Sequence, residues 1–570
     1  MLIPDNFLQK NKDEMEKQLL QMDLSEQASL LLMSPWEHRY DILMASTRVR
    51  ELVREMPVQE LFWTVKAVGP ADSIELLELA TPEQLQFFLD LDIWRKDELR
   101  HDKILAWLTI LAACEKTVQL NWIRWIMEND PYFLPAIIRP LIKLEKRPDD
   151  MDIQEARDVL GSFTLEDIYF ISFKKDETTP LLIPLLKDVA DIDFSDYALV
   201  METILYETPT ANLETAFQRR VARLNDAGIP DYFESVDIYA RVPLPDVREV
   251  ELKWYENQDA IMPAFVPTLY MGQYRYLYEA ISELAQQGIT LERILLEWVW
   301  AANKIMMVEN VDFDDPAAIY NAIDRASAFL NLGIEMSVAG RQGLTPGRFL
   351  HTAVIEDVIR MAVSSLRKMG DRLQRLMEEG LLDSELLYLP DPLPDVVRGL
   401  IKLPPVMWNE KSNKYEAFSS LGQLKQAQAA TDSINNLAQL ASRINPHWST
   451  WPGFSWWRKS NYLSCRAVTW QAALATCLAR NALYGEVGLA PVKSSELVQL
   501  KRLWPAEDGR PSEASRTSVQ HFLDAMAGDV CPDEFLADTA NAILNDVCME
   551  LVNIKDNFSQ KNYLQSLIVI

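Results

Sequence analysis

Residues 57–93, PVQELFWTVKAVGPADSIELLELATPEQLQFFLDLDI, decide how the chain is read. Pro57 suits the first position of a helix because its φ is already fixed, and Gly69 suits the stop after it. Between them Leu61, Phe62, Val65 and Val68 recur at helical spacing on one face. Pro70 is expected to open a second helix through ADSIELLELA. Thr81-Pro82-Glu83-Gln84 has the spacing of a capping box with a proline inside it, and Leu85, Phe88, Leu89 and Ile93 continue the stripe beyond it. Each unit is one short helix, unable to bury its own stripe, so the units must stack on their neighbours.

The composition extends that reading to the whole chain. Glycine is scarce, 18 of 570 residues, which disfavours tight β-turns and glycine-rich phosphate loops. Leu, Glu, Ala, Met and Gln, good helix formers, are plentiful. The fold class expected is therefore all-α, a multi-domain helical array. Boundaries are placed at the polar stretch Glu145–Asp152, at Pro243 and Pro245, and at the prolines from 390. They give a stacked short-helix domain over 1–147, a second helical segment over 148–245, a central long-helix bundle over 246–389 and a mixed, mostly helical domain over 390–570. Helices are expected over Asp193–Glu207 and Thr210–Ala227, from Thr290 to about Glu309, from Pro316 to about Val338, and for some thirty residues from Pro346. Val236–Val242 reads as a short strand.

Charge and motif content exclude several functions. A net charge of −28 repels phosphate backbones, so no duplex nucleic acid is expected as a partner. The longest clean apolar run, Ile104–Cys114, falls well short of the ~18 residues of a membrane helix, and the first residues lack the pattern of an export signal. Cytoplasmic location without membrane insertion is the expectation. Five widely spaced cysteines with no C-x-x-C predict reduced, mostly buried thiols, not a metal ribbon. The five histidines form no helical ligand pair. Asp312, Asp314 and Asp315 lack the glycine and distal glutamate of a calcium loop, and Asp315 reads as a helix cap. Glu297 and Lys304 read as a solvated charged stripe. No nucleophile elbow or phosphate loop survives inspection, so no catalytic residue, metal or cofactor is assigned and a non-enzymatic protein is favoured.

One segment departs from the background. Between Ser433 and Gly485 there is no Asp or Glu, and five of the chain's 16 tryptophans fall within residues 448–470. Arg443, His447, Trp448, Trp451, Trp456, Trp457, Arg458, Lys459 and Arg466 could together bind an anionic ligand, through ring stacking and cationic attraction. The other reading is an aromatic plug over the C-terminal core, its cations paired with the acidic remainder.

The serial proline-started helices of residues 40–130 resemble the superhelical cytosolic domain of bacterial magnesium channels and segments of the flagellar rotor switch protein. More widely, LELATPEQLQFFLDLDIWRKDEL (77–99) and RVARLNDAGIPDYFESVDIYA (220–240) resemble an uncharacterised bacterial family of about this size. That resemblance implies a bacterial source and no particular activity. The function expected is a helical scaffold or adaptor with protein partners. The alternative is a ligand-binding or enzymatic C-terminal domain centred on 443–470.

Overall fold

A computed structural model describes residues 12–241, 273–382, 391–444, 470–505, 508–553 and 566–569, with Phe7, Leu386 and Leu389 besides. Among them are 26 α-helices and three two-stranded antiparallel ladders. The protein is all-α. By contact density the chain falls into two compact units, one drawn from residues 1–240, 248–327 and 342–357 and the other from 241–247, 328–341 and 358–570.

In the first unit the opening stretch folds much as its caps dictate. Helix Val58–Val68 begins after Pro57 and ends at Gly69, whose φ of 109° a side chain would resist. Leu61, Phe62 and Val65 are fully buried. Pro70 opens a 3-10 turn, Pro70–Asp72, and not an α-helix. The Ser73 hydroxyl turns back to the Gly69 carbonyl, 2.8 Å away, and the α-helix starts at Ile74. The capping box closes in both directions: Gln84 N donates to Thr81 Oγ1 at 3.2 Å and Thr81 N to Gln84 Oε1 at 2.9 Å. A cap of this kind contributes about 1 kcal/mol. It fixes the start of helix Pro82–Asp92, which is buried from Gln84 to its end.

Asp193 caps helix Phe194–Tyr206 by accepting from Ser195 N at 2.7 Å, and Asp315 accepts from Ala317 N at 2.9 Å just before helix Pro316–Val338. Helix Pro209–Asp226 follows Thr208, which caps it. Other expectations are corrected. Val236–Tyr239 is a 3-10 turn and not a strand, since no neighbouring strand is there to pair with it among the described residues. Thr290 does not cap; helix Glu292–Val308 starts two residues later. The long helix expected from Pro346 is two helices, Pro346–Thr352 and Ile355–Glu378.

That break has a side-chain cause. Arg293 donates to the carbonyls of Leu350, His351 and Ala353 at 3.0, 2.9 and 3.3 Å, ending the first helix. Glu297, 2.7 Å from the same guanidinium, accepts from Ile355 N at 2.9 Å and so caps the second. Lys304, one face of the same helix, is buried between Asp237 and Glu356 at 3.1 and 3.0 Å. Glu297 and Lys304 are thus internal braces, and the solvated stripe is overturned.

The second unit is centred on a hydrophobic cluster formed by helices Leu421–Ile444, Trp470–Tyr484, Leu497–Leu503, Glu513–Ala527 and Asp533–Val552. Leu440, Leu478, Trp504, Leu523, Leu544 and Leu551 are among its buried members. Close to the C-terminus, Ile568 threads into this unit. Its N–H donates to Thr476 Oγ1 and its carbonyl accepts from Val492 N, both at 2.9 Å.

Candidate functional site

Several exposed apolar residues of the first unit lie on or beside helix Phe194–Tyr206. Strand Ile142–Lys146 pairs antiparallel with Tyr169–Phe173, Lys146 opposite Tyr169, and the helix packs on this ladder. Tyr197, Val200 and Met201 face inward and are buried. Leu199, Glu202 and Tyr206 share the opposite face, at spacings of three and four residues. Leu199 is 46% and Tyr206 67% exposed. Ile168, next to Tyr169 in sequence, and Phe194 at the start of the helix are also exposed.

A polar pin holds the face in place. The Tyr169 hydroxyl donates to Glu202 Oε1 at 2.7 Å, and Lys146 Nζ lies 3.0 Å from the same oxygen. The ammonium also lies 5.7 Å from the ring centroids of both Tyr169 and Tyr206. Burial, then the bond to Glu202, pushes the Tyr169 phenol up to about 12. The bonds from Tyr169 and Lys146 hold the Glu202 carboxyl below the usual carboxylate range. An exposed ion pair of this kind contributes little to stability. Its effect is positional, tying Glu202 of the helix to Tyr169 and Lys146 of the ladder, with Tyr206 exposed beside it. Chemically the surface offers aliphatic and aromatic area beside one cation and one anion.

Of the residues singled out from sequence for anion binding, Arg443 lies among the described residues. Arg443 lies in the last turn of helix Leu421–Ile444, half exposed, with Nη2 2.5 Å from Asp529 Oδ2. His447, Trp448, Trp451, Trp456, Trp457, Arg458, Lys459 and Arg466 lie outside the described residues. Cys114, Cys477, Cys531 and Cys548 are buried free thiols. Among the described residues no group of His, Cys, Asp or Glu is placed to hold a metal ion, and no helix is long and apolar enough to cross a membrane.

The exposed face could have been noticed in the sequence. Helix Phe194–Tyr206, FSDYALVMETILY, carries Leu199, Leu205 and Tyr206 in addition to the inward stripe of Tyr197, Val200, Met201 and Ile204. That is more apolar surface than one buried stripe requires.

Fold and surface together define an all-α, many-helix protein. More narrowly, the chain belongs to a family of unknown function, DUF6178, which matches residues 16–570. No curated protein and no solved structure matches the chain, so the resemblance to magnesium channels and the rotor switch protein gains no support.

Proposed function

We propose that the protein is a non-enzymatic cytoplasmic scaffold or adaptor that binds other proteins, and that the outer face of helix Phe194–Tyr206 is one of its contact surfaces. The observation supporting this reading is the exposure of Leu199 and Tyr206 on one helix face, beside the Lys146–Glu202 pair. Aromatic and aliphatic side chains fixed in one orientation lose little entropy when a partner covers them. The partner surface that fits is itself apolar at its centre, with polar groups meeting Lys146 and Glu202 at the rim. Substituting Leu199→Asp and Tyr206→Asp places charge at the centre of such a contact while leaving the buried face of the helix intact. Complexes captured from native cytosol with the wild-type chain should be lost with the double variant at unchanged helical content. Identical complexes from both proteins would remove this surface from the account.

A further inference from the structure

The first unit also contains a cleft of about 350 Å³, within the size range of small-molecule sites. Its walls include the two-strand hairpin that follows helix Pro82–Asp92, the middle of helix Pro209–Asp226, Tyr232 and the segment around Phe313. In the hairpin, Trp94 pairs with Leu99 and Arg95 with Glu98. Lys96 takes a left-handed φ of 56° to make the turn, so Arg95, Lys96 and, just past the hairpin, Arg100 all line one cleft.

Arg220 enters from helix Pro209–Asp226 and is only 2% exposed. Nε donates to the Asp90 carbonyl at 2.6 Å, and Nη1 reaches the Lys96 carbonyl at 3.4 Å. Among the described residues no carboxylate lies within ion-pair distance of Arg220, and Nη2 makes no hydrogen bond. The nearby Asp90 carboxylate is occupied, held by Arg223 at 2.6 and 3.0 Å and by Gln86 at 2.9 Å. Burial pushes the Arg220 guanidinium down to about 10, a removal from water that the charges of Asp90 and Asp231 offset only in part. Beneath it lies Trp94, 5.4 Å from guanidinium carbon to ring centroid, and the buried Trp94 Nε1 has no acceptor within the described structure.

The remaining charges reinforce the sign. Asp92, which also lines the cleft, is neutralised by Lys66 at 3.0 Å and by Lys103 at 3.6 Å. Arg100 is likewise paired, with Asp102 at 2.9 Å, which leaves Asp312 as the lining acid set against Arg95, Lys96 and Arg220. A concentration of cations in a chain of net charge −28 attracts a small anion by local potential. Ring surface lies alongside: the Lys96 ammonium is 4.2 Å from the Tyr232 ring centroid, and Phe313 is partly exposed in the same cleft.

A purely architectural Arg220 would join the helix to the hairpin through two carbonyls and nothing more. It would not call for two further cations, Arg95 and Lys96, around a cavity, nor for an open donor on the guanidinium fork. We propose that this cleft binds a small phosphorylated molecule, its phosphate held by Arg220 and the hairpin cations and its apolar body resting on Tyr232 and Phe313. Phosphate is favoured over carboxylate because a dianion matches the surplus of cations more closely, and a guanidinium fork engages two phosphate oxygens at once.

The test titrates the full chain with phenyl phosphate, inorganic phosphate, benzoate and phenol, read by calorimetry and by 31P line width. Phenyl phosphate should bind more tightly than inorganic phosphate, benzoate more weakly than either, and phenol not at all. Arg95→Glu, an exposed change, should weaken phenyl phosphate by roughly tenfold or more, and Asp312→Asn should strengthen it. Arg220→Lys keeps the charge, loses the fork and should reduce binding further; if that chain does not fold, Arg95→Glu decides. No binding of phenyl phosphate at millimolar concentration would overturn the proposal, as would affinity unchanged in Arg95→Glu. Tighter binding of benzoate would overturn the assignment to phosphate. None of these readings depends on a protein partner, so failure here and failure of the scaffold reading are separable.

Discussion

Removing Arg293 should do more damage than its place on a helix suggests. Its guanidinium, 8% exposed, supplies donors to three carbonyls at the end of helix Pro346–Thr352 and pairs with Glu297. Arg293→Met leaves those carbonyls without their donor and the Glu297 carboxylate, mostly buried, without its cation. Breaking a buried pair from one side costs about 3–5 kcal/mol. Glu297→Gln keeps an acceptor for Ile355 N and forfeits mainly the charge, a loss of about 1–2 kcal/mol. The double change Arg293→Met with Glu297→Leu leaves neither charge stranded, so its cost should fall below the sum of the two single truncations. Urea unfolding followed by far-UV circular dichroism gives the totals. Because two units need not unfold together, amide exchange at Ile355 supplies the local reading, and protection there should fall in each variant. A cost for Arg293→Met below about 0.5 kcal/mol, the range of ordinary surface changes, with Ile355 still protected, would refute the reasoning.

Three further outcomes are expected. Burial alone would raise the Asp314 carboxyl, but bonds from Lys103 and Lys66 outweigh it and hold the group below its ordinary 3.8. Its contribution to stability is therefore present above that value and lost as the pH falls through the lower folded value; Asp314→Asn should flatten that part of a Tm-against-pH profile, and an unchanged profile would show the bonds to be idle. Gly370 lies where a Cβ would strike the Leu400 carbonyl, so Gly370→Val should lower stability by about 1–3 kcal/mol in urea unfolding, whereas Gly488→Ala, whose Cβ would meet nothing within 4 Å, should not approach that figure. Burial pushes the Cys114 and Cys548 thiols up to about 11. Both should resist a thiol reagent at neutral pH until denaturant is added, and rapid labelling of either in the native chain would contradict its burial.

Local signals carried most of what the sequence disclosed. Thr81 with Gln84, Asp193 and Asp315 mark helix starts because each cap is made within three residues of its partner. Longer-range devices left no such trace. Lysine and glutamate on one helix look solvated until Asp237 and Glu356, far away in sequence, are found beside Lys304. The same limit hid the break at Ala353, since Arg293 acts on carbonyls some sixty residues downstream. The ladder of 142–146 with 169–173 was obscured because its pairing spans an intervening helix and its first strand runs into the charged stretch from Glu145. Arg220 sits in RVARLND, an ordinary basic helix by composition; only burial without a carboxylate sets it apart. The acid-free tryptophan segment remains the strongest compositional signal, and of its named residues only Arg443 falls among the described ones.

The scaffold reading meets its most direct test in site-specific photocrosslinking. A benzophenone side chain placed at Leu199 or Tyr206, both exposed, should capture a discrete protein partner in the native cytosol. The same group at exposed Asp538, on helix Asp533–Val552, should not capture that partner, and Lys146→Glu should reduce the yield at Tyr206. Capture from positions 199 and 206 no greater than from 538, at cellular concentration and with the fold intact, would contradict the account.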